Sequence, residues 1–152
     1  MEVNRDFKEL LELFNARNVE YAIVGGYAVG FHGSPRYTGD LDIYVRPSAD
    51  NAQKIMAALT DFGFGDAGIA REDFLLPGKV VQMGVPPNRI DVMCTVDGVS
   101  WEQVEPNRVK GSYGDVQVSF IGRTELMANK RAVGRKKDLA DLEALEPNGR
   151  FG

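Results

Sequence analysis

The 152-residue sequence contains a single cysteine, Cys94, and no long apolar run. Because Cys94 has no second cysteine to pair with, an intrachain disulfide is excluded, and this fits a reducing compartment. No stretch approaches the roughly 18 apolar residues of a membrane span. The charged segment at residues 1–6 lacks the apolar core of a secretory signal. We therefore expect a cytoplasmic protein with no membrane partner.

A strong positive charge is also missing. The chain carries 18 Lys and Arg against 22 Asp and Glu, which gives a net charge of -4. This balance argues against a strongly basic nucleic-acid binder. Basic residues do cluster in one short segment near the C-terminus, which predicts either a phosphate or RNA contact surface or a solvated helix face. The segment contains Lys130, Arg131, Arg135, Lys136 and Lys137.

The length suits one compact domain over residues 1–152. Hydrophobic periodicity and capping residues predict its helices. The predicted helices cover residues 4–16, 27–31, 49–59, 101–104, 124–133 and a last segment after Gly134, with Ser48, Ser100 and Thr124 as N-caps. Apolar runs predict strands at residues 21–24, 41–45, 79–83, 89–96 and 116–121. Together they predict an α+β fold, in which a small mixed sheet is flanked by helices and the C-terminus is helical.

A glycine pair and two aspartates form the most informative motif. Gly25 and Gly26 follow an apolar strand, and thirteen residues separate them from Asp40 and Asp42 in the next one. Alternate residues of a strand point to the same face, so the two carboxylates project together. Such a pair is costly in an apolar strand unless something neutralises it, and a divalent cation does so with oxygen ligands. The glycines precede a helix, whose first amides favour a phosphate.

Asp91 is the candidate for a third carboxylate, because it lies between Ile90 and Val92 in another apolar strand. If that strand neighbours the strand of Asp42, the carboxylates converge on a two-metal site. Each residue also has a structural alternative. Asp40 follows Gly39 as a turn residue, Asp91 lies near a strand end, and a glycine pair also makes a tight turn without a Cβ.

These residues carry a resemblance to a known family. Gly25-Gly26 followed by Asp40-Leu41-Asp42-Ile43 resembles the signature of the DNA polymerase β-like nucleotidyltransferase superfamily. The form Arg-x-Thr-x-Asp-x-Asp at residues 36–42 looks like that of small bacterial members. The tail, with Lys130 and the run from Gly134 to Asp141, is similar to a region of AbiEii-type nucleotidyltransferases, the toxins of toxin–antitoxin systems. The resemblance covers roughly residues 20–145.

The resemblance implies roles for individual residues. It implies a nucleotidyltransferase fold and transfer of a nucleotidyl group from a nucleoside triphosphate, ATP among the donors, with release of pyrophosphate. Two Mg²⁺ ions, with Mn²⁺ as the other possible metal, would bind Asp40, Asp42 and Asp91, which are also the catalytic residues. The implied nucleotide-binding residues are Gly25, Gly26, Arg36, Thr38, Lys130 and Arg135.

Some of these residues have competing interpretations. Arg36 and Thr38 either contact phosphate or pack a loop. Lys130 and Arg135 either neutralise phosphate or pair with Asp138 and Asp141 on the same helical surface. His32, the single histidine, is better explained by a structural role than by general-base catalysis. Trp101 and Tyr113 are better explained by core packing than by stacking on a nucleotide base.

The sequence supports two classes of function. The first is a metal-dependent nucleotidyltransferase whose acceptor is tRNA, a protein or a small molecule, with an antitoxin or a second copy as partner. The second is a non-catalytic nucleotide-binding or partner-binding module on the same fold. An aspartate-based phosphohydrolase fits less well, because it leaves the glycine pair unexplained.

Overall fold

The computed structural model describes residues 3–33 and 38–146. Arg36 is therefore outside the described residues. Six strands form one sheet: β1 (Tyr21–Val24), β2 (Leu41–Val45), β3 (Val80–Met83), β4 (Ile90–Met93), β5 (Val109–Tyr113) and β6 (Val116–Phe120). The described α-helices are α1 (Arg5–Ala16), α2 (Gly25–His32), α3 (Ala49–Asp61), α4 (Trp101–Val104), α5 (Arg123–Val133) and α6 (Lys136–Leu145). Single 3₁₀ turns lie at Arg71–Phe74 and Glu105–Asn107.

The strand order is β3-β4-β2-β1-β6-β5, and the sheet is mixed. β2 runs parallel to β4 and antiparallel to β1, while β1 runs parallel to β6. The two outer strands, β3 and β5, pair antiparallel with their neighbours. All four residues of β1 are buried, so the centre of the sheet is covered on both faces. The predicted α+β architecture is confirmed.

Side-chain caps explain where several helices begin. The Asn4 side chain accepts hydrogen bonds from the first amides of α1, and the Ser48 hydroxyl accepts one from the Asn51 amide in α3. Ser100 caps α4 in the same way and forms a capping box with Gln103. These three N-termini lie where the sequence predicts them, because capping depends on residues close together in the chain.

Two helix starts differ from the prediction. α2 begins at Gly25, so the glycine pair forms the first turn of the helix instead of preceding it. The N-cap of α5 is Gly122, not Thr124. A Cβ at Gly122 would lie 2.6 Å from the backbone oxygen of Asn107, which favours glycine at this packed position.

The strand predictions missed β5 and made β4 too long. β4 ends at Met93, and Val96 instead forms an isolated bridge with Val99 outside the six strands. β5 is an edge strand with mostly exposed residues, so it lacks the apolar alternation that identifies a strand. Its Gly111 lies under two aromatic rings: a Cβ there would approach Phe31 and Phe120 to 2.7 and 2.8 Å.

The core combines the sheet with the apolar faces of α1, α2, α3 and α5. Trp101 and Tyr113 are 2% and 3% exposed, which confirms the packing interpretation of both residues. Across residues 3–33 and 38–146, no helix combines the length and apolar character that crossing a membrane requires.

Candidate active site

Two of the three predicted carboxylates face each other across neighbouring strands. β2 and β4 pair in parallel register, with Asp42 opposite Asp91. Residues in register on neighbouring strands point to the same face of the sheet. Since such strands lie about 4.8 Å apart, the two carboxylates are close together. Asp40 directly precedes β2, and its Oδ1 accepts the Arg89 backbone amide at 3.0 Å. The structure thus brings Asp40, Asp42 and Asp91 to one region of the sheet.

Gly25 lies directly against Asp42. The residue has a φ of +68°, and a Cβ on it would overlap Oδ2 of Asp42 and lie 3.0 Å from its Cγ. The two strands explain this approach, because Val24 at the end of β1 pairs with Asp42 in β2. Glycine is therefore required here both by the backbone conformation and by the neighbouring carboxylate.

The electrostatics of the three carboxylates are unfavourable for Asp42. Burial, followed by the charges of Asp91 and Asp40, raises the pKa of Asp42 to about 7. Lys130 opposes this effect in part. An additional cation beside Asp42 would relieve the repulsion, since an opposite charge within a few ångströms favours the ionised carboxylate.

Arg89 is a charged neighbour that the sequence reasoning overlooked. Its Nε donates to Oδ1 of Asp91 at 2.7 Å and its Nη2 donates to Oδ2 at 3.0 Å, a bidentate contact. Nη2 also lies 3.5 Å from Oδ2 of Asp40. The signal was available, because Arg89 precedes Asp91 by two residues and alternate residues of an extended chain share a face.

Lys130 and Arg135 make ion pairs, as one of the two sequence interpretations predicts. The Nζ of buried Lys130 lies 3.3 Å from Asp138 and 3.0 Å from Asp141, which joins α5 to α6. Arg135 contacts Asp138 through Nε at 2.6 Å. Hydrogen bonds from Arg135, and then Lys130, lower the pKa of Asp138 to about 2. The stability that Asp138 contributes is therefore present above its ordinary pKa and is lost as the pH falls towards 2.

Replacing Lys130 with methionine is expected to lower the free energy of unfolding by about 3–5 kcal/mol, because two buried carboxylates lose a cation. Urea denaturation at pH 7 measures the change. Arg131→Met is the matched control, since Arg131 is the next residue of α5 and is exposed. Equal free energies of unfolding for Lys130→Met and Arg131→Met would show that the ion pairs of Lys130 contribute nothing to stability.

A cleft of about 550 Å³ opens beside the carboxylates. Its lining includes Gly25, Gly26, Asp42, Asp91, Lys130 and Arg135, but not Asp40. The sequence reasoning missed further lining residues, which lie at the end of β4, in the segment after it and on α5. Among these are Met93, Thr95, Val96, Asp97 and Asn129. Lys137, a member of the predicted basic segment, also lines the cleft.

Thr38 and His32 lie away from the lining of this cleft. The Thr38 hydroxyl is buried and has no hydrogen-bond partner among the residues that the structure describes. The backbone oxygen of Thr38 accepts a hydrogen bond from the Tyr27 hydroxyl at 3.4 Å. His32 donates from Nε2 to the Ile121 carbonyl at 2.6 Å, and burial lowers its pKa. This contact supports the structural interpretation of His32.

The donor chemistry of the site fits a divalent cation. Carboxylate oxygens are the hard ligands that Mg²⁺ prefers, and Asp42 carries a charge that its surroundings disfavour. In the described part of the chain, no three Asp, Glu, His or Cys side chains are already arranged as a metal site. Arg89 instead takes both oxygens of Asp91.

Known structures share this architecture, although no protein-family model and no curated protein matches the sequence. A candidate nucleotidyltransferase from Thermotoga maritima aligns with a TM-score of 0.62 at 10% identity, covering 91% of this chain and 89% of its own. The antibiotic-resistance factor ANT(2'')-Ia gives 0.58 at 12% identity, covering 97% and 83%. The lincosamide antibiotic adenylyltransferase LnuA, bound to lincomycin, gives 0.55 at 16% identity, covering 95% and 98%.

The fold of this chain is therefore that of the nucleotidyltransferases. The alignments extend over most of both chains in each case, so the likeness concerns the whole sheet and its helices. The fold expected from the glycine and aspartate motif is confirmed. The AbiEii-type subgroup is a finer assignment, and it remains a prediction.

Proposed function

We propose that this protein is a metal-dependent nucleotidyltransferase that moves a nucleoside monophosphate from a nucleoside triphosphate to an acceptor hydroxyl. The observation that carries the proposal is the register of Asp42 with Asp91, next to Gly25 at the start of a helix. A phosphate-binding helix end beside paired carboxylates is an arrangement suited to a metal–triphosphate complex. The fold shared with known nucleotidyltransferases supports the same reaction class.

The reaction assigns a task to each group. The acceptor oxygen forms a bond to the α-phosphorus, and the bond from that phosphorus to the bridging oxygen of pyrophosphate breaks. Asp91 assists by accepting the hydroxyl proton, while the amides of Gly25 and Gly26 hold the triphosphate. Lys130 and Arg135 line the cleft, and in the proposed complex they would offset phosphate charge while also pairing with Asp138 and Asp141. Positioning and charge neutralisation carry most of the catalysis.

Asp40, Asp42 and Asp91 would hold the metal, with two Mg²⁺ ions, or Mn²⁺ in their place, as the proposed cofactors. When bound, these ions supply Lewis-acid stabilisation of the phosphoryl oxygens. The raised pKa of Asp42 supports this assignment, since a cation would relieve the repulsion that raises it.

The donor and the acceptor are proposed more broadly. ATP is the first donor to test, and the acceptor is a small molecule, a tRNA or a protein. LnuA and ANT(2'')-Ia are described with lincomycin and adenylylated tobramycin, which supports a small-molecule hydroxyl. An AbiEii-type toxin role, with an antitoxin or a second copy as partner, rests on the motif resemblance. The lone cysteine is compatible with the reducing cytoplasm as the location.

Incubation with each α-labelled nucleoside triphosphate is expected to label an acceptor and release pyrophosphate. The reaction would contain Mg²⁺ and, in separate tubes, total RNA, total protein or a panel of hydroxyl-bearing antibiotics. The labelled fraction identifies the acceptor class. Label should disappear with EDTA, because without the metal the negatively charged carboxylates would repel the triphosphate.

Asp91→Asn supplies the internal control for this experiment, and it should lose the label while it still folds. Calorimetry with ATP, CTP, GTP and UTP in the presence of Mg²⁺ completes the test. Nucleotide binding without pyrophosphate release in any tube would favour the non-catalytic binding module. Absence of both binding and release would refute the proposed function.

A further inference from the structure

Arg89 lies between two carboxylates of the proposed metal site. Its guanidinium contacts both oxygens of Asp91, and the same Nη2 approaches Asp40. Within residues 3–33 and 38–146, no other Lys or Arg forms an ion pair with either carboxylate. Arg89 is thus positioned to neutralise part of the charge that surrounds Asp42.

The backbone around Arg89 is fixed, but its side chain is not enclosed. The Arg89 carbonyl accepts the Leu41 amide at 2.9 Å, and the Arg89 amide donates to Oδ1 of Asp40 at 3.0 Å. The first bond continues the pairing of β2 with β4, the second joins the Arg89 backbone to the Asp40 side chain, and neither involves the guanidinium. The side chain is 27% exposed, so it has a route to solvent without opening the core.

We infer that Arg89 is a built-in counter-ion of this site, which holds Asp40 and Asp91 when no metal is bound and competes with the divalent cation for Asp91. The inference rests on the proposed function, because it takes the three carboxylates as metal ligands. It adds a residue that sets the metal affinity of the site.

Two physical effects make the guanidinium a competitor. A cation that binds Asp91 needs at least one of its carboxylate oxygens, and Arg89 uses both. Two positive charges a few ångströms apart also repel each other, more strongly in a partly buried site than in water. Metal binding therefore weakens or breaks the contact between the guanidinium and Asp91, and the free energy lost from that contact lowers the apparent affinity.

Replacing Arg89 with glutamine tests the side chain alone, because the backbone bonds to Asp40 and Leu41 remain. Calorimetric titration with Mn²⁺ in the absence of nucleotide is expected to show at least tenfold tighter binding to Arg89→Gln than to the unmodified protein. Arg89→Lys keeps the charge but loses the bidentate contact, so its affinity should rise by about threefold. Arg17→Gln is the control, since Arg17 contacts Asp61 with similar atoms outside the site, and its Mn²⁺ affinity should not change.

Thermal unfolding gives a second readout. In EDTA, Arg89→Gln should melt at a lower temperature than the unmodified protein, because Asp40 and Asp91 lose their counter-ion. Saturating Mn²⁺ should then raise its melting temperature by more than it raises that of the unmodified protein. If Arg89→Gln does not fold, the direction of the Arg89→Lys change decides the question.

Two outcomes would overturn the inference, and they are distinguishable. If the unmodified protein binds Mn²⁺ and the Arg89 variants bind it with equal or lower affinity, the role of Arg89 alone is overturned. Failure of every form to bind Mn²⁺ would overturn the metal site itself, and the metal-dependent reaction with it.

Discussion

Asp42→Asn is expected to abolish nucleotidyl transfer, by about a thousandfold or more, while the protein still folds. Asp42 lies at the centre of the site, opposite Asp91 and against Gly25. Asparagine keeps the shape of the side chain but lacks the charge that a metal ligand supplies. Pyrophosphate release, measured with the acceptor found in the labelling experiment, reports the loss.

The same substitution should leave stability intact or increase it. In the metal-free protein the folded state holds the Asp42 proton more tightly than the unfolded chain does, since the pKa is raised to about 7. Ionisation of Asp42 therefore lowers the free energy of unfolding progressively as the pH rises from about 4 through 7. Asparagine does not ionise and avoids this loss. In EDTA, the melting temperatures of the two forms should be similar at pH 4, and Asp42→Asn should be the more stable form at pH 8.

Asp66→Asn is the control for this substitution, because Asp66 is exposed in a turn. It should retain full transfer activity and unchanged stability at both pH values. Unchanged pyrophosphate release by Asp42→Asn would refute the assignment of the metal site. A lower melting temperature at pH 8 would show that Asp42 is held by favourable contacts and not by opposing charges.

Gly25→Ala is expected to impair both stability and transfer. The added Cβ overlaps the Asp42 carboxylate, and alanine does not readily adopt the left-handed backbone conformation at φ +68°. We expect a loss of about 2–4 kcal/mol in the free energy of unfolding. Displacement of Asp42 by about 1 Å should also reduce transfer by about a hundredfold. Urea denaturation and pyrophosphate release measure the two effects.

Gly30→Ala provides a matched control in the same helix. Gly30 has an ordinary φ, and nothing lies within 4 Å of the position that its Cβ would occupy. Alanine there should be neutral or stabilise the protein by up to about 1 kcal/mol, because it improves helix propensity. If both glycine variants behave alike, close contact with Asp42 is not the reason for glycine at position 25.

Local patterns predicted much of this fold. The spacing of Phe7, Leu10, Leu11 and Phe14 identified α1, and all four residues are buried. Ser48 and Ser100 identified helix starts, since a capping residue bonds to amides two or three positions away. β5 escaped detection for the converse reason: its exposed side chains and Gly111 carry no apolar alternation, and it is a strand because it pairs with β6.

The residues of the candidate site also fall into two groups, those that a local sequence signal revealed and those that only packing brought to the cleft. The glycine pair and the aspartates were visible because charged residues in apolar strands are unusual. Arg89 also carried a local signal through its spacing from Asp91. Asn129 and Thr95 had none, because their position in the cleft depends on how α5 and the segment after β4 pack beside the carboxylates.

The sequence by itself determined the carboxylates, the glycine turn and most of the elements that carry them, because backbone conformation and periodicity act over a few residues. Only the tertiary structure decided that Asp42 faces Asp91, since strand register is a property of two segments distant in the chain. The tertiary structure likewise decided that Lys130 pairs with Asp138 and Asp141, and that Arg89 pairs with Asp91. The choice of charge partner depends on burial and distance, which arise only when the segments pack together.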